Sequence, residues 1–199
     1  LDMGSKIQQC INTDEYDNIK SVVNDYLKEG IAHTLDETRN LSDSGQFEDI
    51  SLQQGIRQIL YPYEEMEVLN PEWEVILKDI IDSLFEQMSD EEYNILNEEF
   101  GTYMVSRVYE YRQLLEYLVF RYFAKSIYDY DFLGKCQMLV TNFFVIRQMD
   151  IIRWLDNHRE YSFKDRMDVV HIFSRQVEYS EDNIAVSYTH LRAHETGRN

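Results

Sequence analysis

The chain has 199 residues, 44% hydrophobic and 28% charged, with seven glycines, two prolines and two cysteines. That is enough apolar side chain for one domain, and it excludes collagen-like, low-complexity and disulfide-scaffold classes. The net charge of −18 sits almost wholly in residues 1–100, where 24 Asp and Glu face six Lys and Arg; residues 101–185 hold 12 and 11. An acidic surface of that kind repels phosphate backbones, so nucleic acid is not an expected partner. It serves either as a solvated face or as a draw for a basic, lysine-bearing protein.

The chain opens on Leu1-Asp2-Met3-Gly4, with neither a basic stretch nor a hydrophobic segment behind it, so no secretory signal is expected. The longest apolar runs, Tyr117–Phe120 and Phe143–Ile146, are four residues long, against the ~20 that a membrane span needs. No membrane association is expected. Cys10 and Cys136 lie far apart with no CxxC around either, which fits reduced thiols in the cytoplasm rather than a disulfide or metal frame.

Apolar residues at three- and four-residue spacing predict helices at 14–29, 52–60, 71–88, 90–99, 103–129, 132–157 and 162–182. No segment has strand periodicity and there is no internal repeat. The start signals are clear. Asn70-Pro71-Glu72 offers an N-cap, a proline at the first helical position and an acidic first turn. Ser89 with Glu92 is a capping box, and Ser162 with Asp165 is a looser version of one. The polar stretch 38–51 reads as a loop and hinge within a single α-helical domain spanning 1–185. The expected fold is an all-α helical bundle, with three long C-terminal helices packed against several shorter N-terminal ones. From Val186 the amphipathic pattern stops, and the sequence resembles translated sequencing-adapter DNA. Residues 186–199 are therefore expected to be a non-native tail, which leaves His190 and His194, at i, i+4 spacing, without evolved metal chemistry.

Residues with chemical potential gather after residue 110. In the first long helix Leu115, Leu118, Val119, Tyr122 and Phe123 form a broad apolar stripe, with Arg112 and Glu116 spaced as an exposed pair. Tyr111, Tyr117, Tyr122 and Tyr128 either line a channel for a cationic amine or pack with their hydroxyls at the core boundary. In the second, Cys136, Val140, Phe143, Phe144, Ile151 and Trp154 define the apolar face, and Arg147 falls in its middle. A guanidinium there needs an ion pair, a route to water or a ligand anion, because burying it alone costs several kcal/mol. In the third, Phe163, Met167, Val170, Phe173 and Val177 are expected to be buried. His171, Arg175, Glu178 and Asp182 form an adjacent stripe that either anchors Arg147 or stands solvated. No Gly-rich phosphate loop, nucleophile elbow, HExxH or cysteine cluster is present.

Four stretches carry a resemblance: Leu118–Asp129, Asp131–Lys135, Phe144–Arg147 and Phe173–Asn183. Together they resemble the C-terminal half of the flagellin lysine N-methylase family, and Gly4 through Leu27 looks like that family's preceding helical segment. The resemblance implies an S-adenosylmethionine-dependent methylation of lysine ε-amines on a protein substrate, in characterised members flagellin. It also implies an iron–sulfur cluster held by an N-terminal cysteine-rich segment, which neither Cys10 nor Cys136 matches. The chain is thus expected to be a C-terminal fragment, inactive alone. Tyr122, Arg147, Arg175 and Glu178 match the family pattern as catalytic candidates, and Arg121 and Arg147 as cofactor-binding ones; each also fits a packing role. No metal ligand is expected. The alternative is a noncatalytic acidic helical interaction module.

Overall fold

The structure, a computed structural model, describes residues 2–28 and 50–186. The expected hinge lies outside the described residues except for Ile50 and Ser51. So do residues 187–199 of the tail, including His190 and His194. Helix α1 spans Asp2–Asn12, and residues 16–28 form α2. There follow α3 (Leu52–Glu64), α4 (Pro71–Ile80), α5 (Asp90–Met104), α6 (Val108–Tyr122), α7 (Ser126–Asp129), α8 (Phe132–Asp156) and α9 (Phe163–Phe173). The fold is all-α, as the periodicity predicts, with no strand among the described residues.

The cap signals act as read. Ser89 and Ser162 each close a reciprocal capping box, with Asp165 taking the role more often given to Glu or Gln, and Ser51, at the end of the stretch read as a loop, closes a third. Asn70 accepts from the Glu72 N–H ahead of Pro71. The breaks fall elsewhere than the breakers suggest. Gly101 lies inside α5 with nothing near its missing side chain, and Pro62 lies in the last turn of α3. The expected helix 103–129 is instead cut by tight 3₁₀ turns at Val105–Arg107 and Phe123–Lys125. The helices begun at Pro71 and Phe163 widen into π-turns at Ile81–Glu86 and Ser174–Glu178. The first of these has a visible cause in packing: buried Gln53 reaches from α3 to donate to the Leu84 and Met88 carbonyls at 2.5 and 2.8 Å.

The described chain forms two compact units, one comprising residues 2–28 and 118–137, the other residues 51–117 and 138–186. In the first, α1 buries Gly4, Ile7 and Cys10. Gly4 allows a close approach, since a Cβ there would stand 3.2 Å from the Cys136 sulfur. Gln8 of α1 accepts from the Phe132 and Leu133 N–H groups at 2.8 and 3.1 Å and so caps α8 from outside. Tyr130, at a left-handed φ of 57°, ends α7 and lets Asp131 cap α8 through the Gly134 N–H.

In the second unit the core is aromatic. Trp73 packs on Tyr63 and Phe173 at 6.2 and 6.3 Å, and Phe100 on Trp154 at 5.4 Å. Each such side chain contributes roughly 1.5–3 kcal/mol by leaving water. Buried Gln176 accepts from the Leu69 and Asn70 N–H groups and donates to the Glu67 carbonyl, tying the α3–α4 connection to the second π-turn.

Two of the expected apolar faces are wrong in detail. On α6 the buried line is Leu114, Leu118 and Tyr122, while Val119 is exposed and Leu115 and Phe123 are half-buried. On α9 Phe163 and Met167 are exposed, and the buried line is Arg166, Val169, Ile172 and Phe173. Helix α8 has no single apolar face. Met138, Asn142, Val145, Ile146, Met149, Asp150 and Trp154 are all buried around it, as in a helix enclosed on every side.

Candidate functional site

The rotation of α9 has an electrostatic cause. Asp150, in the C-terminal half of α8, is fully buried, and Glu110 of α6 is 4% exposed. Two desolvated carboxylates demand a cation, and Arg166 is turned inward to supply it. Its Nη1 group donates to Asp150, and its Nε donates to Glu110 at 3.4 Å. The guanidinium carbon lies 4.2 Å from the centre of the Tyr111 ring, a cation–π contact for a group whose Nη2 makes no hydrogen bond. Tyr111 donates to Asp150 at 2.8 Å, and the Tyr161 hydroxyl donates to the other oxygen of the same carboxylate. Arg107 grips Glu110 with two N–H groups at 2.7 and 3.0 Å and donates to the Tyr161 carbonyl.

Burial pushes the Asp150 carboxyl above its ordinary value, against the opposing charge of Arg166 and the two tyrosine hydroxyls. Burial and the Asp150 charge also raise Tyr111 and Tyr161, so both stay protonated as donors. The network joins α6, α8 and α9 and the turn before α9. It is closed on itself, and it holds the helices rather than presenting a group to a reactant.

Arg147 lies elsewhere, half-buried in the wall of a cleft of about 360 Å³ with Leu52, Ile56, Asn94, Asn97, Glu98, Phe144 and Gln148. It meets no carboxylate among the described residues. Instead its Nη1 donates to the Asn97 side-chain oxygen and its Nη2 to the Asn97 carbonyl at 3.3 Å, with the Phe100 ring 5.6 Å away. The Asn97 amide is oriented by its own donation to the Tyr93 carbonyl at 2.9 Å. The Tyr93 hydroxyl is bound in turn to Gln148 at 2.9 Å, and burial pushes it up to about 12. The helix α9 stripe does not anchor Arg147; its partner comes from α5.

The remaining sequence candidates fall in both units. Arg175 is exposed, and Glu178 accepts from the Tyr117 and Ser174 hydroxyls, each at 2.6 Å. In the first unit Tyr122 is buried, with the Arg121 guanidinium 5.8 Å from its ring centre. Cys136 is half-buried with its thiol pushed up by burial, and Cys10 is buried, so neither has the setting of a reactive thiolate. No cluster able to hold a metal ion occurs among the described residues. No helix of the described residues is long and apolar enough to cross a membrane.

Two further clefts lie in the second unit. One, of about 290 Å³, has Glu72, Asp79, Arg153 and Asp156 in its walls. The other, of about 830 Å³, lies at the turn between α8 and α9, with Tyr103, Asp156, Glu160, Tyr161 and Asp165. That turn is built on His158 and Arg159, both in the left-handed region at φ 56° and 68°. The Tyr161 N–H that follows donates to the Tyr103 hydroxyl at 2.9 Å. The arrangement lines the cleft with three carboxylates and the exposed Tyr103 ring, while Tyr161 is buried, a setting suited to a cationic amine.

Sequence reasoning missed the Asp150, Glu110 and Arg166 network. Its signal was present: Asp150 is a lone carboxylate between Met149 and Ile151, the same kind of anomaly as Arg147 three residues earlier.

Compared with known proteins, residues 1–198 match the family model described as the FliB lysine N-methylase C-terminal domain. No curated protein and no solved structure matches the chain. The match spans nearly the whole sequence, and the chain belongs to that family.

Proposed function

We propose, from the chain's membership of the FliB lysine N-methylase C-terminal domain family, that it is part of an S-adenosylmethionine-dependent methyltransferase. Its substrate on this reading is the ε-amine of lysines on a protein surface, that of flagellin, modified in the cytoplasm. The family match over residues 1–198 carries the reading. Two features of the chain support it. The acidity of residues 1–100 draws protonated lysines towards the protein. The cleft at the α8–α9 turn offers Asp156, Glu160 and Asp165 to an ammonium group, with the exposed Tyr103 ring beside them.

When bound, S-adenosylmethionine supplies an electrophilic methyl group on a sulfonium. For transfer the lysine nitrogen must first lose a proton, and carboxylates at a cleft mouth hold the amine and accept that proton. The Arg147 cleft suits the cofactor: its volume is that of a small-molecule site, and its guanidinium meets no carboxylate among the described residues. An iron–sulfur cluster is a different matter. Such clusters take about four thiolates, and the chain's two cysteines, both in inert settings, do not fit one. Any cluster on this reading is held by another part of the protein, and the C-terminal domain alone is inactive.

The test uses isotope-labelled S-adenosylmethionine with purified flagellin. One sample contains this chain; a second contains it fused behind the cysteine-rich segment of a family member. Methyl-lysine in the second sample and not in the first is the expected result. Failure of both proteins to bind the cofactor by calorimetry would overturn the reading in favour of a noncatalytic acidic interaction module.

A further inference from the structure

The Arg147 cleft contains an unusual pair of charges. Among the described residues Arg147, half-buried, meets no carboxylate, and Glu98, exposed on α5 in the same cleft, meets no cation. Opposite charges lining one cleft ordinarily pair with each other or stay in bulk water. Here Arg147 is engaged by other neighbours. The Asn97 oxygens and the Phe100 ring hold the guanidinium, and the Asn97 amide is itself locked by the Tyr93 carbonyl. Two of its N–H groups are so engaged, and the rest of the planar fork is left for an anion, the geometry that matches a carboxylate. Asn94 adds an exposed amide at the rim, and Phe144 adds an apolar wall.

From this juxtaposition we infer that the cleft between α3, α5 and α8 binds the zwitterionic head of an α-amino acid. The carboxylate lies on Arg147, the ammonium on Glu98, and the side chain against Phe144. A ligand carrying both charges neutralises both walls at once, which a simple anion or a simple amine does not. The class of ligand rests on the cleft alone. Naming it as the methionyl end of S-adenosylmethionine rests on the methylase reading above.

The experiment is a titration of the isotope-labelled 199-residue chain with L-methionine, followed by NMR at the side-chain amides of Asn94, Asn97 and Gln148. These amides shift and saturate if the inference holds. Acetate and methylamine, each carrying one of the two charges, bind at least tenfold more weakly. Arg147→Gln and Glu98→Gln each weaken methionine at least tenfold, Arg147→Lys weakens it less, and Arg112→Gln, exposed on α6 outside the cleft, leaves it unchanged. Silent amides in the unmodified chain, acetate binding as well as methionine, or an Arg147→Gln protein that is folded by circular dichroism and binds as before would each overturn the inference.

Calorimetry with S-adenosylhomocysteine separates the two proposals. Methionine bound in the cleft without S-adenosylhomocysteine binding leaves the inference standing and removes the methylase reading from this chain. S-adenosylhomocysteine bound with the cleft amides silent does the reverse.

Discussion

Arg166 and Arg147 both belong to the second unit, and each involves the enclosed helix α8, yet they are treated in opposite ways. Arg166 is 4% exposed, and the fold gives it Asp150, Glu110 and the face of Tyr111. Arg147 is half-buried and receives one asparagine and one phenylalanine ring. The difference follows from desolvation. A guanidinium stripped of water must be neutralised inside the protein, because the cost of leaving it uncompensated is several kcal/mol. One at a cleft wall keeps part of its hydration, so dipoles suffice to position it and its charge remains available to something that enters. Of the two, Arg166 is the more deeply buried and the less available for chemistry.

Substitutions sharpen that contrast. Arg166→Met strands the buried Asp150 carboxylate, while Glu110 keeps Arg107, and is expected to cost about 3–5 kcal/mol of stability in urea unfolding; a loss below 1 kcal/mol would show that the network does not hold the helices. Tyr161→Phe removes one hydroxyl from Asp150 and leaves the ring on Phe100, with an expected cost of about 1.5–3 kcal/mol by the same measurement.

Asp165→Ala opens the capping box of α9 and costs about 1 kcal/mol at neutral pH. That cost depends on pH with a definite sign. Partial burial works against the charged form of Asp165, but hydrogen bonds from Ser162 and Asn157 outweigh it and hold the carboxyl below its ordinary 3.8. The stabilisation is therefore complete above pH 3.8 and is lost as pH falls through the lower folded value, so the variant and the unmodified chain converge in acid. Unfolding midpoints measured from pH 7 down to pH 2.5 check this. Arg147→Gln has the smallest effect on folding, within about 1 kcal/mol. Its effect belongs to ligand binding, and a large loss of stability would erase the distinction between the two arginines.

Much of the fold is legible from local chemistry. Asn70, Ser89 and Ser162 announce their helices because a cap uses a side chain and N–H groups only two or three residues away. The breaks are less legible. Gly101 and Pro62 suggest interruptions that tertiary packing overrides, while the π-turn at Ile81–Glu86 depends in part on Gln53, some thirty residues distant. The apolar face of α9 is misread for the same reason. Phe163 and Met167 have the hydrophobicity of a core, but the face is chosen by carboxylates on two other helices, which periodicity within α9 cannot register. At the candidate cleft Arg147 stands out as a charge in an apolar helix; its partners Asn97 and Phe100 carry no mark, since any helix of the bundle is able to face it.

The sequence by itself determined the helical class, the cap positions, the acidic first half and the need for an enclosed guanidinium to be satisfied. All of these follow from composition or from interactions within a turn or two of chain. Only the tertiary structure decided which arginine is enclosed, which face α9 buries and where Arg147 finds its contacts. Those outcomes depend on groups brought together from 16 to 56 positions apart in the chain, and the free energy of burying a charge is set by what surrounds it in space.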